Sequence, residues 1–223
     1  MARMSGGVGA AVPELRLEEV SVRHGRRRVV EPLTWVHRAG RIAWLIGENG
    51  AGKSSLLRVL AGRMRPATGT VTLLDPAGRS GERIYYRPAM RLPGGVTAGA
   101  WARLMERLAG PAAAGAEEPM AVLRPSVPEN RLLGRVSTGE AKRTLLEALL
   151  RKPAPFVFLD EPYEHLSARA RDALTEVLVA RAKTAVVVVA TNQPIPDAAA
   201  GPVVQVDGER AVVIEPEESR WMS

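Results

Sequence analysis

Apolar and polar residues along the chain are spaced as in strands in some segments and as in helices in others, and the strand-like and helix-like segments alternate. Residues 14–20 alternate apolar and polar side chains, as half-buried strands do, whereas residues 41–46 and 156–159 are short apolar runs typical of buried strands. Helical spacing is found at residues 54–61, 97–108, 138–151 and 168–182. Further strands are predicted at residues 29–30, 33–36, 70–74, 83–86 and 184–190, with a closing hairpin at 203–206 and 211–214. This alternation predicts an α/β fold.

Two segments fall outside this alternation. Residues 1–13 are rich in glycine and alanine and are predicted to form a flexible tail, followed by a single domain over residues 14–223. Residues 110–130 are rich in alanine, proline and glycine. We therefore predict that they are the most mobile or variable part of that domain.

The segment GENGAGKS at residues 47–54 matches the phosphate-binding pattern G-x-x-x-x-G-K-[ST]. Its glycines let backbone N–H groups wrap a phosphate chain, and the helix predicted after it presents a positive N-terminal end to the anion. Lys53 is expected to reach the β- and γ-phosphates of ATP, and the Ser54 hydroxyl is expected to ligate Mg²⁺. The residues predicted to contact the nucleotide here are Gly47, Glu48, Asn49, Gly50, Ala51, Gly52, Lys53, Ser54 and Ser55.

Two carboxylates, Asp160 and Glu161, follow the apolar run at residues 156–159. A triphosphate site needs one carboxylate to hold Mg²⁺, and an adjacent carboxylate can orient and deprotonate the attacking water. Because successive residues of a strand point to opposite faces, the two side chains are able to take different roles. We predict Asp160 as a metal ligand and Glu161 as the general base.

Composition narrows the classes of partner. Of the 223 residues, 46% are hydrophobic and 25% are charged, as in ordinary globular proteins. The absence of cysteine excludes disulfides and thiolate metal sites. The net charge is +7, but the basic residues are scattered apart from a cluster at residues 23–28, so we attribute the charge to a preference for arginine. No apolar run approaches the ~20 residues that a membrane-spanning helix needs.

A third motif, VSTGE at residues 136–140, lies between the phosphate loop and the acidic pair. With these motifs the sequence resembles the ATP-binding-cassette (ABC) ATPases, whose signature is usually written LSGGQ. The resemblance implies a P-loop NTPase core of the ABC type with an antiparallel β subdomain and a small helical subdomain at about residues 90–152. It also implies that two cassettes pair head to tail, so that Ser137 and Gly139 contact the γ-phosphate of ATP held by the partner. Ser137 equally suits a helix N-cap, with Glu140 three residues on completing a capping box.

Several positions depart from the family pattern. The aromatic residue that usually stacks on adenine is replaced by His24, which either stacks less extensively or is an exposed turn histidine. The family's switch histidine is replaced by Asn192, which can hydrogen-bond a γ-phosphate but cannot become a cation. No glutamine lies near Ala89, and Ser167 stands where an aspartate usually ends the loop after the acidic pair. These changes predict slow or asymmetric hydrolysis. The predicted catalytic residues are Lys53, Glu161 and Asn192.

The resemblance implies a subunit that binds ATP and Mg²⁺ and powers a membrane transporter. Such a subunit lies peripherally on the cytoplasmic face of the cell membrane. Its expected partners are a membrane-spanning subunit, docked near residues 89–110, and a second ABC ATPase subunit, identical or different. Two alternatives stay open: a soluble ABC-type ATPase that acts on nucleic acid, and a regulatory module that uses ATP only to dimerise. We expect no nucleic-acid partner, because no long heptad-bearing insertion separates the phosphate loop from the signature.

Overall fold

The computed structural model describes residues 12–108, 115–208 and 210–215. Strands and helices alternate in these residues, as the sequence pattern predicts. The strands are β1 (Glu14–His24), β2 (Arg27–Arg38), β3 (Ile42–Ile46), β4 (Thr68–Leu74), β5 (Arg83–Tyr86), β6 (Phe156–Asp160), β7 (Val186–Ala190), β8 (Val203–Asp207) and β9 (Arg210–Ile214). The α-helices are α1 (Lys53–Leu60), α2 (Ala98–Leu108), α3 (Glu117–Leu123), α4 (Thr138–Leu150) and α5 (Ala168–Ala182).

The strands form two sheets. A three-stranded antiparallel sheet has the order β2-β1-β4. A six-stranded sheet has the order β5-β6-β7-β3-β8-β9, in which β5, β6, β7, β3 and β8 run parallel and β9 runs antiparallel to β8. Parallel strands need helical crossovers, and these helices cover the sheet and exclude water from it. The predicted α/β class is confirmed.

The parallel sheet separates two hydrophobic cores, and β3 shows how. Ile42 and Trp44 pack with the core that contains residues of α3, α4 and α5. Ala43 and Leu45 pack with the core between α1 and the antiparallel sheet. Successive side chains of a strand point to opposite faces, so an unbroken apolar run serves both cores. The carboxyl ends of these strands are therefore held rigidly from both sides.

The antiparallel sheet is more continuous than the sequence pattern indicates. The two short strands predicted at residues 29–30 and 33–36 are parts of one strand, β2, which carries Pro32 within it. Proline is tolerated there because β2 is an edge strand of its sheet. In β1 the pairing shifts around Glu19, whose φ of 51° marks a bulge, and the strand continues to His24.

The segment predicted to be mobile or variable, residues 110–130, contains an ordered helix. Helix α3 packs against α4 and α5, and its Met120 and Leu123 are fully buried. The sequence pattern did not predict this helix, in which Pro119 is tolerated because it lies in the first turn. The mobility or variability of the segment stays a prediction. Residues 109–114 of the predicted segment lie outside the described residues.

The described residues begin at Val12, within the predicted tail, and end at Glu215. The predicted tail at residues 1–13 lies outside them except for Val12 and Pro13, and the Pro13 carbonyl accepts a hydrogen bond from the Ala39 N–H at 3.1 Å. No described helix is long and apolar enough to cross a bilayer.

Candidate functional site

The phosphate loop connects β3 to α1, as predicted, and two of its glycines cannot be replaced without strain. Gly47 has a φ of 146°, and a Cβ there would overlap the Val206 carbonyl oxygen. Gly52, the N-cap of α1, has a φ of 114°, and a Cβ there would lie 2.9 Å from the Val29 carbonyl oxygen. Both residues adopt backbone conformations that other residues rarely reach, so the loop is shaped by neighbouring backbone.

Lys53 is the cation at the centre of this loop. Its side chain is buried, with 5% of the residue exposed, and its Nζ donates to the carbonyl oxygens of Gly47 at 2.7 Å and Glu48 at 3.0 Å. The first turn of α1 carries no acidic residue, so no carboxylate from that turn offsets the positive end of the helix. Lysine ammonium and helix N-terminus together form an anion site, and they fit a triphosphate.

Ser54 and Asp160 meet between α1 and the carboxyl end of β6. The Ser54 hydroxyl donates to Oδ1 of Asp160 at 2.9 Å. Burial raises the pKa of Asp160, while the Ser54 hydrogen bond and the Lys53 charge oppose that shift. A hydroxyl and a carboxylate are the hard oxygen donors that Mg²⁺ prefers, and Mg²⁺ usually completes its shell with waters and substrate phosphates. No group of three or more His, Cys, Asp or Glu residues suited to a metal occurs in the described residues.

Glu161 follows Asp160 and points elsewhere, because its backbone is left-handed with a φ of 45°. Such a conformation in a non-glycine residue costs on the order of 1–3 kcal/mol and persists only where surrounding contacts impose it. The Glu161 N–H donates to the Ala190 carbonyl oxygen at 2.9 Å, and Oε2 accepts from the Asn192 N–H at 3.2 Å. Burial raises the pKa of Glu161, which makes its carboxylate a stronger base.

Asn192 joins this carboxylate to the phosphate loop. Besides its backbone bond to Glu161, its Nδ2 donates to Oδ1 of Asn49 at 3.3 Å. Both asparagines are exposed, so they line the open side of the site. The amide is a neutral donor at the position where the family has an imidazole.

His24 lies beside the phosphate loop. It is the last residue of β1, and its Nε2 is 2.7 Å from Oγ of Ser55 in the first turn of α1. The residue is exposed and lies next to the phosphate loop. Both alternatives raised by the sequence, stacking on adenine and an exposed turn histidine, stay predictions.

Ser137 and Gly139 lie at the N-terminus of α4, apart from the residues described so far. Ser137 is the N-cap: its Oγ accepts from the Glu140 N–H at 3.2 Å, and its own N–H donates to Oε2 of Glu140 at 2.7 Å. The predicted capping box is confirmed. Ser137 is exposed, and within the described part of the chain no hydrogen bond joins it or Gly139 to the phosphate loop.

Two further positions that depart from the family pattern are Ser167 and Ala89. Ser167 is the N-cap of α5, and its Oγ accepts from the Ala170 N–H at 3.4 Å. Ala89 is exposed in the segment between β5 and α2.

One site residue, Lys142 on α4, escaped the sequence analysis. Its Nζ donates to the carbonyl oxygens of Glu161 and Glu164, both at 2.8 Å. The signal was available: Lys142 precedes Leu145 and Leu146 by three and four residues, so it lies on the apolar face of the helix. A lysine on a buried face needs polar partners, and the loop after Asp160 supplies them.

The phosphate loop, the acidic pair and the capped start of α4 all lie in a region that matches a known protein family. The profile of the ABC transporter family matches residues 30–164, which include all three motifs. The chain belongs to the ABC transporter family. As an ABC ATPase it binds ATP and couples its hydrolysis to transport. The predicted family, fold and function are thereby confirmed.

Two relatives and one solved structure illustrate the match. This ABC ATPase is 33% identical over 178 residues to "Cytochrome c biogenesis ATP-binding export protein CcmA" of Novosphingobium aromaticivorans, covering 79% of this chain and 87% of that protein. It is 31% identical over 239 residues to "Tylosin resistance ATP-binding protein TlrC" of Streptomyces fradiae, covering 87% of this chain but 42% of TlrC. A structure described as "ATP binding subunit of ABC transporter" superposes with a TM-score of 0.73 at 23% identity, over 90% of this chain and 89% of that one. The relatives support a transport ATPase and give no support to the nucleic-acid alternative.

Proposed function

We propose that this ABC ATPase works as half of a cassette dimer, identical or mixed, in which each ATP lies between one phosphate loop and the partner's signature helix. The observation that carries the proposal is the separation of the site into two parts. Lys53, Ser54, Asp160 and Glu161 converge at the carboxyl edge of the sheet, whereas Ser137 presents an exposed helix N-terminus and, in the described residues, makes no hydrogen bond to any of the four. An exposed helix N-terminus is a ready anion site, and a second cassette supplies the anion.

Each residue of the converged set has a role that follows from its contacts. Lys53 and the loop N–H groups bind the phosphates, and Ser54 with Asp160 holds Mg²⁺. Mg²⁺ held there would neutralise charge on the phosphate oxygens. Glu161 orients and deprotonates the attacking water, and Asn192 bonds the γ-phosphate region from the open side. His24 stacks on the adenine ring. These roles apply to a domain over residues 14–223 whose helical subdomain spans about residues 90–152.

We propose slow or asymmetric turnover for the same site. Asn192 offers a neutral amide, so it stabilises developing negative charge on the γ-phosphate less than an imidazolium does. Its backbone N–H is already a partner of Glu161, which keeps the base in place. The site therefore retains nucleotide binding and its base, and lacks one charge that assists the chemical step.

A groove between α2 and α4 is the proposed dock for a membrane-spanning subunit. It encloses a cavity of about 130 Å³ beside Trp101, whose indole N–H is buried with no partner in the described residues. Met105 lines it with further apolar side chains, and Glu147, bonded to Arg124 at 3.1 Å, lies at its polar rim. An apolar groove with a charged rim suits a short amphipathic helix. Docking there holds the chain peripherally at the cytoplasmic face of the membrane.

Turnover by purified protein with Mg²⁺-ATP tests this proposal. We expect slow hydrolysis by the isolated chain and faster hydrolysis once a partner cassette or membrane subunit is added. Glu161→Gln should lower turnover by about 10²- to 10⁴-fold, because the base is removed. The same variant should retain ATP affinity and accumulate as a dimer, detected by light scattering.

Glu176→Gln is the matched control, because Glu176 is exposed on α5 and takes no part in the site. Brisk hydrolysis by the isolated chain would contradict the impairment. Wild-type turnover in Glu161→Gln would contradict the role of Glu161, and a monomer at saturating ATP would contradict the dimer.

A further inference from the structure

Lys142 hydrogen-bonds the helix that Ser137 caps to the loop that carries Glu161. It lies in the second turn of the helix that Ser137 caps, and 7% of the residue is exposed. Its Nζ contacts the carbonyl oxygens of Glu161 and Glu164 at 2.8 Å each and lies 5.7 Å from the centre of the Tyr86 ring. Burial lowers the pKa of Lys142 to about 8, while the charges of Glu161 and Glu164 oppose that shift. The ammonium is therefore held by the loop that carries the general base.

That loop contains two strained residues, which contacts from outside the loop must stabilise. Glu161 and His165 have left-handed backbones, with φ of 45° and 58°, although neither is glycine. The carbonyl groups that Lys142 binds belong to Glu161 itself and to Glu164, directly before His165. One ammonium thus fixes both strained ends of a tight connection between β6 and α5.

The N-terminus of α4, one turn before Lys142, is exposed at Ser137. Ser137 and Glu140 close a capping box there, so the first turn is well ordered. Lys142 lies five positions after Ser137, about 7–8 Å along the helix axis. A hydrogen-bonded helix moves as one body, so a displacement of its N-terminus is also felt at the Lys142 ammonium.

We infer that Lys142 is a positioning residue that couples the two ATP sites of the dimer. Binding of the partner's γ-phosphate at Ser137 and Gly139 fixes α4, and α4 fixes the Glu161 carbonyl through Lys142. Glu161 then attains its working position against the ATP in its own phosphate loop. The inference rests on the proposed dimer, and it adds a route by which each site reports its occupancy to the other.

Lys142→Met tests the coupling, because methionine fills the same volume and has no N–H to donate. Lys142→Arg keeps the donors and the charge. Lys183→Met is the matched control, because Lys183 is exposed at the C-cap of α5. If Lys142→Met melts too early to be assayed, Lys142→Gln replaces it, since its shorter side chain cannot reach both carbonyls.

Two measurements are made on each variant. Hydrogen exchange of residues 160–166 without nucleotide should be faster in Lys142→Met, because the loop loses its hold. Turnover as a function of Mg²⁺-ATP concentration should lose its cooperativity, with the Hill coefficient falling from above 1 to 1. The kcat should fall at least about 10-fold, with ATP affinity within about two-fold of wild type, because the base is misplaced while the phosphate loop is intact. Lys142→Arg should recover part of both losses.

Several results would overturn the inference. A wild-type Hill coefficient of 1, or a Lys142→Met protein with wild-type cooperativity and kcat, excludes coupling through this residue. Faster hydrogen exchange with unchanged turnover shows a purely structural contact. Failure of the Glu161→Gln protein to dimerise with ATP overturns the proposed function and this inference together. Lost cooperativity with dimerisation intact confirms the coupling and leaves the proposed function standing.

Discussion

The carboxyl edge of the parallel sheet and the start of α4 each present a helix N-terminus to an anion, but the two differ in what surrounds that N-terminus. At the sheet edge, the start of α1 is surrounded by a loop, a buried lysine and two carboxylates, each of which makes hydrogen bonds within the site. At α4, Ser137 bonds within its own capping box and is otherwise exposed. Both helix ends attract anions. The difference indicates that one site is preorganised within the chain and that the other is completed by a partner.

The largest expected effect is on ATP affinity at the closed end, by which we mean the phosphate loop with Lys53, Asp160 and Glu161. Lys53→Met removes a buried ammonium that contacts two loop carbonyls and is placed to bind phosphate oxygens. We expect the affinity for Mg²⁺-ATP to fall by about 100-fold or more, as when one partner of a buried charge pair is truncated. Isothermal titration calorimetry measures the change, and Lys183→Met is the control. A loss below about three-fold would show that the closed end owes little to this lysine.

The closed end is also the part that the sequence predicts best. The phosphate loop and the acidic pair are local patterns whose residue types are fixed by the chemistry they perform. Alternation within β6 places Asp160 on the same face as Phe156 and Phe158, next to α1, where Ser54 meets it. The pattern therefore puts Asp160 on the face of Phe156 and Phe158 once the strand is recognised, and the structure adds that α1 packs against this face.

The contacts missed by the sequence analysis depend on tertiary packing. The bond between Asn49 and Asn192 joins residues 143 positions apart. The hold of Lys142 on the Glu161 loop depends on how α4 packs beside β6. Helix α3 buries Met120 and Leu123 against neighbouring helices, although it lies in a segment rich in alanine, proline and glycine. No local period carries this information.

A smaller effect, on the affinity of the dimer, is expected at the open end, by which we mean the exposed N-terminus of α4. Ser137→Asp keeps a strong N-cap but places a carboxylate where the partner's γ-phosphate is expected. We expect unchanged thermal stability and an ATP-driven dimer weakened by at least about 10-fold, because like charges meet in a desolvated interface. Thr97→Asp is the matched control, since Thr97 Oγ1 accepts from the Ala100 N–H at the start of α2. Analytical ultracentrifugation with ATP measures dimer affinity, and equal losses in both variants would refute the special role of Ser137.

The smallest expected effect concerns Glu140, which stands where the family signature has glutamine. Hydrogen bonds from the Ser137 backbone and side chain lower the pKa of Glu140, so its carboxylate is charged at neutral pH, close to the proposed γ-phosphate position. Glu140→Gln keeps an oxygen that accepts from the Ser137 N–H and removes the charge. The charge stabilises the N-terminus of α4 by about 0.3–1 kcal/mol, and it repels an incoming anion by a comparable amount.

Opposite signs are therefore expected for the two properties of Glu140→Gln. Thermal unfolding at pH 7 should show a slightly less stable protein, whereas the ATP-driven dimer should form about two- to five-fold more tightly, which is the same free energy expressed as affinity. The stability difference should vanish as the pH falls through the lowered pKa of Glu140, because the wild-type carboxylate then becomes neutral as well. Glu176→Gln controls for the loss of one exposed charge. A weaker dimer in Glu140→Gln would place the partner's phosphate away from this helix end and would remove the contrast between the closed and open sites.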